Sequence, residues 1–401
     1  MTTTSNMHIV VIFYNIGGYH AARLNATSVA CEPKDWRLTA VQVTDNTQER
    51  PWGNIKNEIK FPLKTLLPTE TTPSTIDRRP WSKVAASLIP SCLDTIKPNI
   101  LAIPGWGFPI SQAALTWSKR HRIPAILMSE SKWDDERRQW WKEQIKSWLY
   151  IRNYKAALVG GQLHQDYLLK LGFDKNRIFL GYNAVDNQYF CLGAEEARTN
   201  PLAARKRQLK IPHNPYFLVV TRLIKRKNVF RLVEAFLAYR QQLGEEQAWD
   251  IVICGSGEEE PSIRRLISEK RLNACVHLPG FISYQAIPDW YGLAQAFVHP
   301  AIQEPWGLVV NEACAAGLPI LCSHTVGACH ELVRHGYNGL LFDPESRENM
   351  TDTLLAIHQQ SSEARIKMGK FSQTIVANYS PHNFAKGLFK AIETALMLKS
   401  Q

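Results

Sequence analysis

The chain has 401 residues, 45% of them hydrophobic, and a formal net charge of +11. This length predicts two or three domains with substantial cores. No apolar run approaches the roughly 20 residues that cross a bilayer, and the short apolar segment at 8–13 lacks the basic flank and cleavage site of a signal peptide. We therefore expect a cytoplasmic protein without a transmembrane helix.

Cysteine and histidine spacing indicates neither disulfides nor a metal centre. None of the eight cysteines forms a C-x-x-C pair, and several lie in apparent strands and helices. Such cysteines are typical of small core residues in a reducing compartment. The sequence also lacks H-E-x-x-H and clustered Cys/His spacings, so we predict that it holds no metal.

The positive charge is concentrated in the first half of the chain. Residues 1–190 hold 24 Lys and Arg against 16 Asp and Glu. This excess indicates an anionic acceptor, a membrane surface or nucleic acid as the partner, or else a basic surface without a function. No nucleic-acid recognition motif accompanies the charge, so we expect no nucleic-acid partner.

Apolar strands and amphipathic helices alternate over the first 190 residues, which predicts a parallel sheet covered by helices. Residues 40–80 are polar and are predicted to form loops around a short strand. Ligands of such sheets bind at the carboxyl ends of the strands. This rule places the following residues at one rim of the sheet: Gly17, Gly18, Gly105 and Trp106. His20 lies just inside the first helix.

Residues 132–154 are predicted to form one helix that is rich in Trp and in basic residues. Two interpretations of this helix stay open. It resembles interfacial helices that lie on lipid headgroups. Its apolar positions also fit one face packed into the core or into an acceptor cleft, which is the interpretation that we favour; these positions are 141, 145, 148, 149 and 152.

The stretch 299–343 predicts a strand, a loop, a helix at about 308–316 and a second strand. Glu304 and Glu312 frame its loop and first helical turns. They lie too far apart to share a proton, but they suit a long ligand such as a sugar nucleotide, in which two diols flank a diphosphate. The helix N-terminus between them favours an anion, and Gly307 permits close approach of the backbone.

The segment EPWGLVVNEA resembles the E-x7-E signature of retaining nucleotide-sugar glycosyltransferases with the GT-B fold, especially glycosyltransferase family 4. The family usually has Phe in place of Trp306. The resemblance implies that Glu304 holds hydroxyls of the transferred sugar and that Glu312 holds the ribose diol. It also implies donor contacts from Trp306, Gly307 and Leu308.

The segment TRLIKRKN resembles a second family pattern, GRL-x-x-x-KG, with Thr221 and Asn228 in place of the two glycines. The resemblance assigns Arg222 and Lys227 to the diphosphate leaving group. Two cations at a strand exit are suited to that charge. By contrast, Lys225 and Arg226 are expected to face solvent.

Weaker similarities complete the predicted site. In the family, glycine turns and a segment after "LPGF" lie near the nucleotide, and these correspond here to Gly255, Gly257, Phe281 and Ile282, with Gly17 and Gly18 in the other domain. Many members carry a sugar-contacting His where this chain has Gly105-Trp106-Gly107. A His-assisted step is therefore not expected, and Trp106 and His20 are assigned to the acceptor side.

These patterns predict the GT-B fold, with two Rossmann-like domains that face each other across a cleft. We predict domains at 1–190 and 214–382, a linker at 191–213, and a last helix near 383–401 that packs on the first domain.

The function implied is transfer of a sugar, with retention, from a UDP- or GDP-sugar to an unknown acceptor hydroxyl, without a cofactor or metal. Peripheral contact with a membrane or an anionic acceptor is a further option. An epimerase or hydrolase of the same fold, or a non-catalytic sugar-nucleotide-binding protein, remains an alternative.

Overall fold

The computed structural model describes residues 6–45, 58–68 and 79–398. The chain forms two compact units, Met1–Val185 with Ser380–Gln401, and Asp186–Tyr379. Each unit contains one parallel sheet, of seven strands in the first and six in the second. The described residues therefore confirm the predicted α/β class.

The first unit is a helix-covered parallel sheet. Its strands are β1 (His8–Phe13), β2 (Arg37–Gln42), β3 (Leu63–Thr65), β4 (Ile100–Pro104), β5 (Ala125–Ser129), β6 (Ala156–Val159) and β7 (Ile178–Leu180). Its helices before the chain leaves the unit are α1 (Gly18–Cys31), α2 (Arg79–Ile96), α3 (Pro109–His121), α4 (Trp140–Leu149) and α5 (Gln162–Lys170). The strand order is β3-β2-β1-β4-β5-β6-β7, so the order reverses between β1 and β4.

The second unit repeats this plan with strands β8 (Tyr216–Val220), β9 (Asp250–Cys254), β10 (Val276–Gly280), β11 (Ala296–His299), β12 (Ile320–Ser323) and β13 (Gly339–Phe342). Its helices are α6 (Asn187–Thr199), α7 (Pro201–Arg207), α8 (Val229–Leu243), α9 (Glu260–Glu269), α10 (Ile287–Leu293), α11 (Leu308–Ala315), α12 (Cys329–Leu332), α13 (Arg347–His358) and α14 (Ser362–Val376). The strand order is β10-β9-β8-β11-β12-β13, which reverses between β8 and β11.

Alternation along β1 explains why the first sheet is buried on both faces. Val10 and Ile12 join a core with α2 and α3, whereas Ile9, Val11 and Phe13 join a second core on the opposite face. Successive side chains of a strand point to opposite faces, so an uninterrupted apolar strand needs helices on both sides.

The last helix, α15 (Pro381–Met397), covers one face of the first sheet. Its first turn is capped by Ser380, whose hydroxyl accepts a hydrogen bond from the backbone N–H of Asn383, and Pro381 occupies the first helical position. Its apolar face packs against α1, β6 and β7. The C-terminal segment therefore belongs to the first unit.

The structure differs from two sequence expectations. Residues 191–213 are not a linker: α6 and α7 pack against α10 within the second unit. The segment 132–154 is not one helix, because α4 is flanked by separate 3-10 turns. The loops expected at 40–80 lie partly outside the described residues, and the short strand expected among them corresponds to β3.

Candidate functional site

The predicted catalytic residues lie in the loops after the two strands where the order of the second sheet reverses. β8 leads into Arg222 and Lys227, and its neighbour β11 leads into Glu304. Parallel strands place all their carboxyl ends at one edge of a sheet, and ligands of open α/β sheets bind where the strand order reverses. Topology alone therefore brings these residues to a position suited to ligand binding.

The side chains of Lys227 and Glu304 form an ion pair, with only 9% and 12% of them exposed. His299 ends β11 beside this pair, with its Nε2 3.4 Å from Oε2 of Glu304. Burial, and then the charge of Lys227, lowers the pKa of His299 well below its ordinary value. The imidazole is therefore neutral near pH 7, and the cation of the cluster is Lys227.

Backbone contacts hold the two loops of this pair together. The N–H of Ile302 donates to the carbonyl of Arg226 over 2.9 Å, which ties the loop after β11 to the loop after β8. Asn228 adopts a left-handed conformation with φ +59°, and its side chain donates to the carbonyls of Pro300 and Pro344. Asn tolerates this conformation better than most residues, which explains how it replaces the Gly of the family pattern.

The loop that carries Glu304 is also fixed on its other side. The N–H of Gly327 donates to the carbonyl of Glu304, and that of Ala328 donates to the carbonyl of Trp306. Gly307 follows with a φ of +97°, and Leu308 is then the first residue of α11. A methyl group on Gly307 would lie 3.2 Å from Cγ of Glu304 and 3.4 Å from Nε2 of His299. Gly307 is thus required by its backbone conformation and by the crowded ion pair.

Glu312 has a different environment from Glu304. It lies in α11 and is buried, and the hydroxyl of Tyr291 donates to its Oε2 over 2.8 Å. Burial raises the pKa of Glu312 to about 7, although the hydrogen bond from Tyr291 acts in the opposite direction. The two glutamates have separate partners, which agrees with the prediction that they do not form an acid/base pair.

The side chain of Trp306 packs in the core, so the donor contact that the resemblance implies for this residue would come from its backbone. The indole is fully buried, and its N–H donates to Oδ1 of Asn311 over 2.7 Å. The ring also packs 5.8 Å from that of Tyr379. The spacing of the motif gave the position of the residue in the loop but not the direction of its side chain.

The remaining predicted donor residues lie at neighbouring strand exits. Gly255 has φ +139°, and a methyl group there would collide with the carbonyl oxygen of Thr221. A methyl group on Gly257 would collide with the backbone of Leu223. Both glycines therefore let the loop after β9 pack against the loop that carries Arg222. Beyond β10, the side chain of Phe281 is exposed and that of Ile282 is half-buried.

The first unit carries Gly17 and Gly18, predicted to bind the donor, and His20, predicted on the acceptor side, and these residues have structural partners. Gly17 caps α1, Gly18 is its first residue, and the N–H of Gly17 donates to Nδ1 of His20 over 3.2 Å. His20 is buried against Phe13 rather than lying on the helix surface. The same arrangement recurs at Gly161 and His164, which shows that it is a capping motif of this chain.

Trp106 follows β4, next to β1 at the point where the order of the first sheet reverses. Its ring is half-buried beside that of Tyr167, and the ammonium of Lys146 lies 5.5 Å from the ring centroid. A position at this rim, at the carboxyl ends of the strands, is the one that the sequence predicted.

Sequence reasoning missed two residues that contact the glutamates, His299 and Tyr291. A polar residue at the end of an apolar strand could have indicated His299. Nothing in the sequence joins Tyr291 to Glu312, which lies 21 residues away on another helix. Within the described residues, no group of three or more His, Cys, Asp or Glu could hold a metal ion, and the eight cysteines are free thiols.

Residues 203–375 match the family model described as glycosyl transferases group 1. Sucrose-phosphate synthase 4 of Arabidopsis thaliana is 35% identical over 161 residues, which are 36% of this chain and 15% of that protein. The chain thus spans about 15% of the length of the plant sucrose-phosphate synthases that it matches. The alpha-monoglucosyldiacylglycerol synthase of Acholeplasma laidlawii is 27% identical over 300 residues, 70% of this chain and 71% of that protein.

The fold resembles that of the Anabaena protein HepE, solved in complex with UDP and glucose. The TM-score is 0.71 at 17% identity, over 97% of this chain and 100% of that one. This likeness concerns the fold, whereas the family match concerns the sequence of the second unit. Residues 203–375 are thus similar in sequence to the group 1 glycosyl transferases, and the chain has the GT-B fold that the resemblance implied.

Proposed function

We propose that this protein transfers a sugar from a nucleoside-diphosphate sugar to an acceptor hydroxyl, with retention at the anomeric carbon. The observation that carries the proposal is the buried pair of Lys227 and Glu304 at the reversal of the second sheet. Arg222 follows the same strand as Lys227, and Glu312 lies on the helix that follows Glu304. One edge of one sheet thus offers two cations and two carboxylates.

The chemistry of the transfer assigns these groups distinct tasks. As the bond between the anomeric carbon and the diphosphate oxygen breaks, negative charge grows on the leaving phosphate, which Arg222 and Lys227 stabilise. The N-terminus of α11 at Leu308 adds free N–H groups and a positive dipole end. Glu304 accepts hydrogen bonds from hydroxyls of the sugar, and Glu312 accepts them from the ribose diol.

Retention follows if the acceptor attacks the face from which the diphosphate departs. The acceptor oxygen then bonds to the anomeric carbon, and its proton passes to the departing phosphate oxygen. This route needs no enzyme nucleophile and no His-assisted step. It also needs no divalent ion, since Lys227 and Arg222 supply the positive charge; we therefore expect activity in the presence of EDTA.

In the ligand-free structure, Lys227 and Glu304 neutralise each other. A bound donor would offer each of them a replacement partner, the diphosphate for Lys227 and sugar hydroxyls for Glu304. Donor binding would therefore exchange one satisfied arrangement for another, without leaving a buried charge unpaired.

The relatives suggest where to begin the search for substrates. The sucrose-phosphate synthases and the alpha-monoglucosyldiacylglycerol synthase carry names of glucose-containing products, and HepE is solved with UDP and glucose. UDP-glucose is therefore the first donor to test, with GDP-sugars next. The acceptor is a glycan, a lipid or a small molecule with a free hydroxyl.

A donor screen followed by product analysis tests the proposal. A UDP-, GDP-, ADP- or TDP-sugar that binds the folded state raises the melting temperature by mass action. The stabilising donor is then incubated with candidate acceptors, and the anomeric configuration of the product is determined by NMR. Transfer with retention supports the proposal, whereas release of free sugar or of an epimer would identify a hydrolase or an epimerase.

Binding without turnover under all these conditions would instead favour the non-catalytic alternative. Failure of every nucleoside-diphosphate sugar to raise the melting temperature would contradict the proposal itself.

A further inference from the structure

Helix α4 packs against the first unit through its polar face and exposes its apolar face to solvent. Trp140, Trp141, Ile145, Trp148 and Leu149 are 72%, 48%, 50%, 69% and 44% exposed. At about 100° per residue, Trp141, Ile145 and Trp148 fall within one narrow sector of the helix. The sequence interpretation that packs this face into the core is therefore wrong, because the opposite face is the buried one.

The buried side of α4 is held by ionic and polar contacts. Glu143 is buried and accepts hydrogen bonds from Lys146 and from the hydroxyl of Tyr167, with Arg138 beside it. Burial alone would raise the pKa of Glu143, but these hydrogen bonds and the charges of Lys146 and Arg138 lower it.

Ser147, also buried, donates to the carbonyl of Leu171. Rotating α4 to hide its tryptophans would expose or unpair these groups, which is costly for a buried charge. The outward direction of the apolar face is therefore fixed by the fold.

The surroundings of this face are basic. The first unit holds 27 Lys and Arg against 16 Asp and Glu. The second unit holds 20 Lys and Arg against 20 Asp and Glu. The whole net charge of +11 thus belongs to the unit that carries α4. Arg137, Lys142 and Arg152 are exposed around the helix, and the ammonium of Lys142 lies 5.2 Å from the ring centroid of Trp141.

We propose that α4 docks the first unit onto the surface of an anionic lipid bilayer. Exposed Trp side chains prefer the interface between headgroups and acyl chains, because their rings are apolar and their N–H groups remain hydrated. Flanking Lys and Arg attract the negative charge of the leaflet. A helix with one aromatic face and basic flanks lies in the plane of the interface.

Attachment at the surface also agrees with the length of the helices. None in the described part of the chain is long and apolar enough to cross a membrane. A protein partner would use a similar aromatic face, but the net charge of +11 on the first unit favours a surface of uniform negative charge. This inference does not depend on the proposed glycosyl transfer.

Vesicle co-sedimentation of the full chain tests the inference. We expect binding to vesicles of phosphatidylglycerol and phosphatidylcholine, weak binding to phosphatidylcholine alone, and a decrease with rising salt, since screening weakens exposed charges. Trp140→Ser/Trp148→Ser should weaken binding roughly tenfold or more, and Lys142→Glu should weaken it on anionic vesicles only. Because both tryptophans are highly exposed, the double variant should keep the wild-type melting temperature.

A matched control lies in the second unit, where Leu202 and Leu209 are 70% and 88% exposed. Leu202→Ser/Leu209→Ser should bind vesicles like the wild type. Absence of wild-type binding to anionic vesicles, or equal binding by both double variants, would overturn the inference.

Loss of self-association or of a protein contact in the tryptophan variant, without vesicle binding by the wild type, would assign the face to a protein partner instead. Stabilisation by a nucleotide sugar should be the same in all variants, so this test and that of the proposed function can fail separately.

Discussion

Lys227 and Glu304 form a buried ion pair that joins the loop after β8 to the loop after β11, 77 positions apart in the sequence. The pair forms because the sheet order places the two strand ends side by side. In the proposed function the same two side chains contact the donor, so their loss should affect stability and activity differently.

Substitution of the pair should separate these two effects. Lys227→Met leaves Glu304 as a buried carboxylate without its cation, which should cost about 3 kcal/mol of unfolding free energy. Lys227→Met/Glu304→Gln removes both charges and should recover most of that stability. Both variants should lose donor use by a factor on the order of 10²–10³. Chemical denaturation and kcat/KM measure the two effects, and recovery of activity together with stability would assign the pair to the fold alone.

The cations after β8 differ in their expected importance. Arg222→Gln should lower kcat/KM for the donor by a factor on the order of 10²–10³, because it removes a charge that we propose stabilises the leaving diphosphate. Lys225 is exposed in the same loop, and Lys225→Gln is the matched control, with activity near that of the wild type. Steady-state kinetics at saturating acceptor compare them. Equal losses in the two variants would indicate general attraction of anions rather than a specific contact.

Donor binding should depend on pH through Glu312. Its pKa is raised to about 7, so the carboxylate that we propose accepts hydrogen bonds from the ribose diol becomes predominant only above pH 7. The donor Kd should therefore decrease as the pH rises from 6 to 8, by roughly tenfold. Tyr291→Phe removes a hydrogen bond that lowers this pKa and should move the midpoint upward. Glu312→Gln should abolish the dependence, and an unchanged profile in that variant would exclude Glu312 as its source.

The same group makes folding sensitive to pH in the absence of donor. A carboxyl whose folded pKa is raised from 4.5 to about 7 favours the folded state when protonated, so its contribution is present below pH 4.5 and is lost as the pH rises to 7. The loss should be on the order of 3 kcal/mol relative to Glu312→Gln, which lacks the titration. Urea denaturation of both proteins between pH 5 and 8 measures it. The same change of unfolding free energy with pH in the two proteins would contradict the assignment of this titration to Glu312.

Gly307→Ala should impair the site beyond the strain that it introduces. Its φ of +97° costs an alanine about 1–2 kcal/mol, and the new methyl group would crowd Glu304. Gly336 has a φ of +77° and open space around its Cβ position, so Gly336→Ala introduces a positive-φ alanine without crowding. Both variants should lose stability, but only Gly307→Ala should lose donor affinity. The melting temperatures of the two variants with and without donor compare them. An equal rise in melting temperature on adding donor would refute the role of crowding.

Much of the fold and the polar residues of the candidate site could be predicted from local patterns. Apolar strands that lead into loops with Arg222, Glu304 or a glycine turn fix the position of each residue along the chain, and parallel topology then brings these loops to one edge of the sheet. The helix predicted at about 308–316 is α11 (Leu308–Ala315), and Gly317 follows it with φ +74°. These inferences succeed because they depend on residues close in sequence.

Local patterns do not determine features that depend on contacts between residues distant in sequence. Trp306 turns inward to Asn311 and Tyr379, a direction that the loop motif does not determine. Periodicity identified the two faces of α4 but not which one is buried, because Glu143 finds a hydrogen-bond partner in Tyr167, 24 residues away. Residues 191–213 have the composition of a linker, yet α6 and α7 pack against α10.

The central claim is that a diphosphate sugar binds at the carboxyl edge of the second sheet, beside Lys227. Isothermal titration of UDP-glucose, or of the donor that the thermal screen selects, into the wild type, Lys227→Met/Glu304→Gln and Lys225→Gln tests it most directly. We predict that Lys225→Gln binds like the wild type and that the double variant, although folded, binds at least tenfold more weakly. Wild-type affinity in the folded double variant would contradict the account.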